Sequence, residues 1–212
     1  MIKKIIIIVV ILILTNLIFA NRKSIVTQQH LSEARKFIQE NNLNNSICIF
    51  VNYNLHSGKK RLAVWDLKRN TAIFVCPVAH GRGHRFTIKP QFSNEENSWL
   101  SSLGKGVVAE RYVGSFGTSY RLDGLESTNN NIRKRCIVLH GYFSVPSKPI
   151  FPLYSGRSKG CLMVSHKNMK KLDEILSQQK QVLFFHSHEL CRRYSLATQE
   201  QSDCCRRCAL SG

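Results

Sequence analysis

The sequence predicts a mostly β domain with a few helices. Three observations carry that reading. "SICIFVNY", "KRLAVWDL" and "TAIFVCPV" are dense in Ile, Val, Phe, Trp and Tyr, and the turn-like "NLHSGK" and "KRN" separate them. Further on, "KRCIVLHG" and "QVLFFH" read as buried strands. Helical spacing of apolar residues marks one stretch before these strands and one late in the chain. At 212 residues the chain is long enough for one domain with a substantial core.

Taken in order, the chain opens with two lysines and an apolar run from Ile5 to Phe19 interrupted only by Thr15 and Asn16. This has the form of an export signal over residues 1–20, with Ala20 as the residue before cleavage. An uncleaved membrane anchor is the alternative, although the run is short of the roughly 20 apolar residues a span needs. "IVTQQHLSEARKFIQENN" then reads as an amphipathic helix, with Leu31, Ala34, Phe37 and Ile38 on one stripe and asparagines as its stop. The three runs described above follow as a β-meander. Residues 81–131 are rich in Gly, Ser and Asn, and are expected to be loops around short strands at "GVVAERYVG" and "TSYRLDG". "KRCIVLHG" is the next strand. "SHKNMKKLDEILSQ" is a second helix, with Ser165 as N-cap and Met169, Leu172, Ile175 and Leu176 on its apolar face. "QVLFFH" closes the domain, which the sequence delimits at residues 25–186. Residues 187–212 form a Cys-rich tail with little apolar periodicity, expected to be poorly ordered.

The charge balance narrows the partners. Lys and Arg number 31 against 13 Asp and Glu, a formal +18. A basic body points to an anionic partner, but the basic residues are spread out, with no run resembling a nucleic-acid arm. Nucleic acid therefore ranks last, and a membrane enters only through the amino-terminal segment if it is uncleaved.

Eight cysteines in an exported chain first suggest disulfides. Cys48, Cys76 and Cys136 lie in apolar runs, where a cysteine is a small buried hydrophobe or half of a bridge. Cys191, Cys204, Cys205 and Cys208, with His186 and His188, have zinc-ligand chemistry but lack the usual spacing; no metal and no cofactor is assigned. Cys161, in "SGRSKGCLMV", is placed differently. Gly160 allows a bend and a close approach, Ser155 and Ser158 are polar, and Arg157 and Lys159 bring positive charge that would favour a thiolate. Its potential base is His140. Strand alternation in "CIVLHG" puts Cys136, Val138 and His140 on one face, and Gly141 then releases the chain into a loop. A core histidine satisfied by a backbone hydrogen bond is the competing reading of His140. His80, His84 and His166 each read as structural or solvated.

These residues resemble a known family. "HG" at 140–141 followed by "SGRSKGC" at 155–161 is similar to the His-Gly and Ser-x-Gly-Cys signature of L,D-transpeptidases, the YkuD-type catalytic domains. "PVAHGRGH", "FSNEENSWLSSLG", "YVGSFGTSYRLDGLE" and "RCIVLHGYF" resemble successive blocks of the murein L,D-transpeptidase subgroup, and the likeness runs from about Lys60 to His186. The resemblance implies a YkuD-like β-sandwich that acts on peptidoglycan peptide stems, in the periplasm or envelope of a Gram-negative bacterium. It further implies Cys161 as nucleophile, His140 as general base, Ser158 as a shaper of the loop or of the His–Cys hydrogen bonding, and backbone N–H groups around Gly160 and Cys161 as an oxyanion hole. Arg157, Gly141 and Tyr142 are its candidate substrate contacts. The sequence departs from the wider family at Met163, where an arginine is common.

Three activities fit these residues. One is thiol acyl transfer from a tetrapeptide stem to an amine, a wall-linked protein being a further possible partner. A second is hydrolysis of stems by the same Cys–His pair, as an L,D-carboxypeptidase. The third is non-catalytic binding to the wall.

Overall fold

The computed structural model describes residues 24–85 and 89–188, so the apolar amino-terminal run and the four tail cysteines lie outside the described residues. The first described element is α1 (Gln28–Glu40), which starts where Thr27 can cap it. The Thr27 hydroxyl accepts the His30 N–H and the His30 ring accepts the Thr27 N–H, so two otherwise orphaned donors are satisfied reciprocally. Leu31, Ala34 and Ile38 are buried as the stripe predicted, and they cover Cys48, Phe50, Leu183 and Phe185 on one face of the sheet.

The predicted meander is present as β1 (Ile47–Asn52), β2 (Leu62–Asp66) and β3 (Thr71–Cys76), paired antiparallel in sequence order. The Gly- and Asn-rich middle contains a hairpin of β4 (Gly104–Gly114) and β5 (Gly117–Gly124). There follow β6 (Val138–Gly141), β7 (Leu162–Val164), α2 (His166–Leu176) and β8 (Val182–Ser187). All eight strands join in one sheet of order β3-β2-β1-β8-β4-β5-β6-β7. The strand that ends the described domain is thus central, parallel to β1 and antiparallel to β4. Its composition explains why. Leu183 and Phe185 are buried under α1, while Val182 and Phe184 enter the opposite core, so both faces are apolar as a central strand requires.

That main core draws Ile49 and Val64 from one half of the sheet, Leu122, Leu139 and Leu162 from the other, and Leu172 from α2. The sheet therefore folds over so that its two halves share one interior, in the manner of a sandwich. Asp173 ties α2 to the hairpin, accepting from Arg111 Nε at 2.7 Å, Arg111 Nη2 at 2.9 Å and the Tyr120 hydroxyl at 2.7 Å.

Two expectations need correction. Cys136 is not in a buried strand: it is exposed at the end of a turn, with φ of 53°, and β6 begins two residues later. The face reading therefore holds for Val138 and His140 alone. The short β7 was hidden in what read as a cysteine loop, because three residues are too few to show a period.

Leu172 is fully buried at the joint between α2 and the sheet. Leu172→Ala is expected to lower stability by about 2–5 kcal/mol. Urea unfolding followed by circular dichroism checks this, and a loss well under 1 kcal/mol would place α2 outside the core.

Candidate active site

The site begins with one pairing. β6 and β7 run parallel with Leu139 opposite Leu162 and His140 opposite Met163. Side chains alternate along both strands, so Leu139, Leu162 and Val164 enter the main core while His140, Cys161 and Met163 share the other face. Cys161 immediately precedes β7 and His140 lies near the end of β6, which places the two diagonally on that face. The register thus sets the two side chains on one face of adjacent strands.

The turn before Cys161 is held on every side. Gly160 has φ of 115°, and a Cβ there would lie 2.9 Å from the Leu100 carbonyl oxygen and 3.1 Å from Ile137 Cδ1, so only glycine fits without displacement. Ser158 shapes the turn: its hydroxyl accepts the Gly160 N–H at 3.1 Å and donates to the Cys161 carbonyl at 2.8 Å. The Gly160 N–H is thereby engaged within the turn. Residues 80–82 run alongside, with the Ser158 N–H donating to the His80 carbonyl and the Arg82 N–H to the Ser158 carbonyl, each at 2.9 Å. Ser101 bridges both segments, accepting the Gly81 N–H and donating to the Gly160 carbonyl. Fully buried Arg61 fixes the far side, donating to the Val78 carbonyl and to His80 Nδ1 at 2.8 Å each. His80 is thereby tied to the buried Arg61 guanidinium.

His140 is buried, with 2 % of its surface exposed. Its Nδ1 lies 3.0 Å from the Gly141 carbonyl oxygen. A carbonyl only accepts, so Nδ1 carries the proton and Nε2 keeps a free lone pair, as a general base needs. Phe116, from the β4–β5 turn, stacks on the imidazole at 4.2 Å, and Tyr142 meets it edge-on at 6.2 Å. His166 packs against Gly141, where a Cβ would come within 2.8 Å of His166 Nδ1.

The thiol hydrogen bond of Cys161 runs to the Cys136 carbonyl at 3.8 Å. Burial raises the Cys161 pKa above its ordinary value; the Val138 N–H and the Arg135 charge oppose that rise. Burial lowers the His140 pKa, and the charge of His166 lowers it further. Both shifts favour neutral forms, so near neutral pH the pair rests as thiol and imidazole. The sequence-based expectation of a thiolate favoured by Arg157 and Lys159 needs correction, because desolvation dominates. The Lys159 ammonium sits over the Trp99 ring at 4.6 Å, and the charge of Arg157 is felt at His80.

Three residues of this region were missed in the sequence. Phe116 reaches His140 only through the hairpin fold, and Tyr53 lies below the site through its packing against Phe92 and His186. Arg135 stands five residues before His140 in "KRCIVLHG", a stretch read whole as a strand, with nothing to single the arginine out. Met163, at the position where the resemblance led us to expect arginine, is buried with Ala79 and Val145 beneath Tyr142. Among the described residues, no group of three or more His, Cys, Asp or Glu side chains is placed to hold a metal ion. Cys48, Cys76, Cys136 and Cys161 are all free thiols.

Comparison with known proteins adds a family. The family described as "L,D-transpeptidase catalytic domain" matches residues 20–186. Solved structures similar to the chain include an L,D-transpeptidase from Mycobacterium smegmatis, at 10% identity and TM-score 0.42, covering 68% of this chain and 59% of that one. A variant of the helical cell shape determining protein Pgp2 from Campylobacter jejuni aligns at 12% identity and TM-score 0.45, over 77% of this chain and 57% of that one. An L,D-transpeptidase from Xylanimonas cellulosilytica aligns at 11% identity and TM-score 0.38, over 76% and 71%. The chain thus spans less than two thirds of the length of the first two. No curated protein sequence matches it.

A neutral resting pair has a measurable signature. Alkylation of Cys161 by iodoacetamide, followed on the tryptic peptide of residues 160–167, is expected to keep accelerating above pH 8.5, the ordinary thiol midpoint of about that value. A plateau reached below pH 7 would show a preformed thiolate instead.

Proposed function

Because the chain belongs to the L,D-transpeptidase catalytic-domain family, we propose that it is an exported cysteine acyltransferase acting on peptidoglycan peptide stems. The observation that carries this reading is the shared outward face of β6 and β7. It presents a thiol from a glycine-bent turn and an imidazole whose Nδ1–H is already committed to a carbonyl.

The proposed chemistry follows from that arrangement. With a tetrapeptide stem bound, His140 Nε2 takes the Cys161 proton as Sγ attacks the scissile carbonyl. The S–C bond forms, the C–N bond breaks, and the leaving amine takes its proton from His140. An incoming amine then gives its proton to His140 as its nitrogen bonds to the thioacyl carbon and the S–C bond breaks, and His140 passes that proton to the departing Cys161 sulfur, restoring the neutral pair. Backbone N–H groups facing the tetrahedral oxyanion would each contribute about 2.7–4 kcal/mol. Because the Gly160 N–H is engaged by Ser158, the Cys161 N–H is the better candidate of the two. Phe116 and Tyr142 wall the imidazole and limit water around the proton transfer. Arg157, Gly141 and Tyr142 remain the candidate contacts for the stem. The basic composition suits a carboxylate-bearing polymer, and the apolar amino-terminal run supports export to the cell envelope.

Incubation with purified disaccharide-tetrapeptides, with products resolved by mass spectrometry, tests the proposal. Crosslinked dimers are expected from the native chain and none from a folded Cys161→Ala variant. His140→Gln should reduce the rate by roughly 10²–10⁴-fold. Undiminished crosslinking by Cys161→Ala would end the proposal, and shortened stems without dimers would make water the acceptor.

A further inference from the structure

The turn that precedes β6 carries a second functional group. Arg135 is half-buried, and its guanidinium is fixed by four hydrogen bonds. Nη1 donates to the Ser93 carbonyl and the Ser102 hydroxyl, each at 2.7 Å. Nη2 donates to the Ser98 hydroxyl at 3.0 Å and the Leu100 carbonyl at 2.6 Å. Every acceptor in this set is neutral. Arg111 and Arg133, by contrast, bond directly to carboxylates. Glu96, one of two acidic residues near Arg135, is itself bonded to Lys134 at 2.5 Å. The charge of Arg135 is therefore held in place without being neutralised by contact.

Its place is beside the candidate nucleophile. The Leu100 oxygen that accepts from Nη2 is the atom a Gly160 Cβ would meet at 2.9 Å, one residue from Cys161. From the other direction, the next residue after Arg135 supplies the carbonyl that lies 3.8 Å from the Cys161 sulfur. Resting on the acyl-transfer reading above, we infer that Arg135 is a positioning residue that supplies the fixed positive charge stabilising the Cys161 thiolate as His140 removes its proton.

The surrounding groups support this assignment. Those near Cys161 are Tyr53 just after β1 and Arg135 and Cys136 in the turn before β6, with His140 on the same face of β6. Tyr53 and Cys136 oppose a negative sulfur when ionised, while Lys159 is directed onto Trp99. The interaction is mutual: Arg135 favours the thiolate, and the thiolate favours the charged guanidinium. At His140 the neighbouring charge is that of His166. Arg135 thus acts on the sulfur end of the proton transfer, where it favours the charge being created.

Arg135 also clamps residues 93–102, so the test must separate charge from scaffolding. Iodoacetamide, which is uncharged, is applied across a pH series to full-length chains carrying Cys136→Ser, and modification is read on the tryptic peptide of residues 160–167. Arg135→Gln is expected to move the Cys161 midpoint up by about one unit or more, slowing alkylation about tenfold near neutral pH. Arg135→Lys, which keeps the charge and loses the fork, is expected to stay close to the parent profile. An unchanged midpoint in folded Arg135→Gln, or an equal upward shift in both variants, would overturn the inference. The readout does not require turnover, so failure of the muropeptide assay and failure of this inference are separate results.

Discussion

The parallel register of β6 against β7 is the constraint on which the rest of the site depends. Leu139 opposite Leu162 puts both leucines in the main core, and the same pleat turns His140 and Cys161 outward together. A slip of one residue in either strand would send one member of the pair inward. The register is guarded from both sides. Leu139, Leu162 and Val164 are almost completely buried, and the turn at Gly160 leaves no room for a Cβ. Ser158, Ser101 and residues 80–82 then fix the approach of the chain to Cys161, so the position of its thiol follows from packing and backbone hydrogen bonds.

Electrostatics sets what that geometry can do. Burial pushes the thiol toward protonation and the imidazole toward neutrality, which favours the uncharged form of the pair. His140 Nε2 keeps its lone pair and Cys161 keeps its proton, so the proposed attack would couple bond formation to proton removal. The Arg135 guanidinium is held by neutral acceptors beside the turn that carries Cys161, and the rings of Phe116 and Tyr142 lie against the His140 imidazole.

Much of this was legible in the sequence, for identifiable reasons. The meander and both helices announced themselves through period, capping residues and turn chemistry, as with Ser165, whose side chain accepts the Asn168 N–H; the strands of the β4–β5 hairpin were read as short segments among loops. Cys161 and His140 stood out because a glycine-bent loop and a strand end are recognisable locally. What escaped notice depends on contacts between distant segments. β8 becomes central through pairing with β1 and β4, Phe116 reaches His140 only once the hairpin folds, and Arg135 is held by a loop some 40 residues earlier. The basic residues beside Cys161 in the chain misled for the same reason, since their neighbours in space are Trp99 and His80.

The central claim is that Cys161 carries the acyl group in transit. Acid quench of a single turnover with disaccharide-tetrapeptide, followed by tryptic digestion and mass spectrometry, tests it most directly. The account predicts the stem acyl group as a thioester on the peptide of residues 160–167. Product formation with that peptide unmodified throughout, or the acyl group on another cysteine, would contradict it.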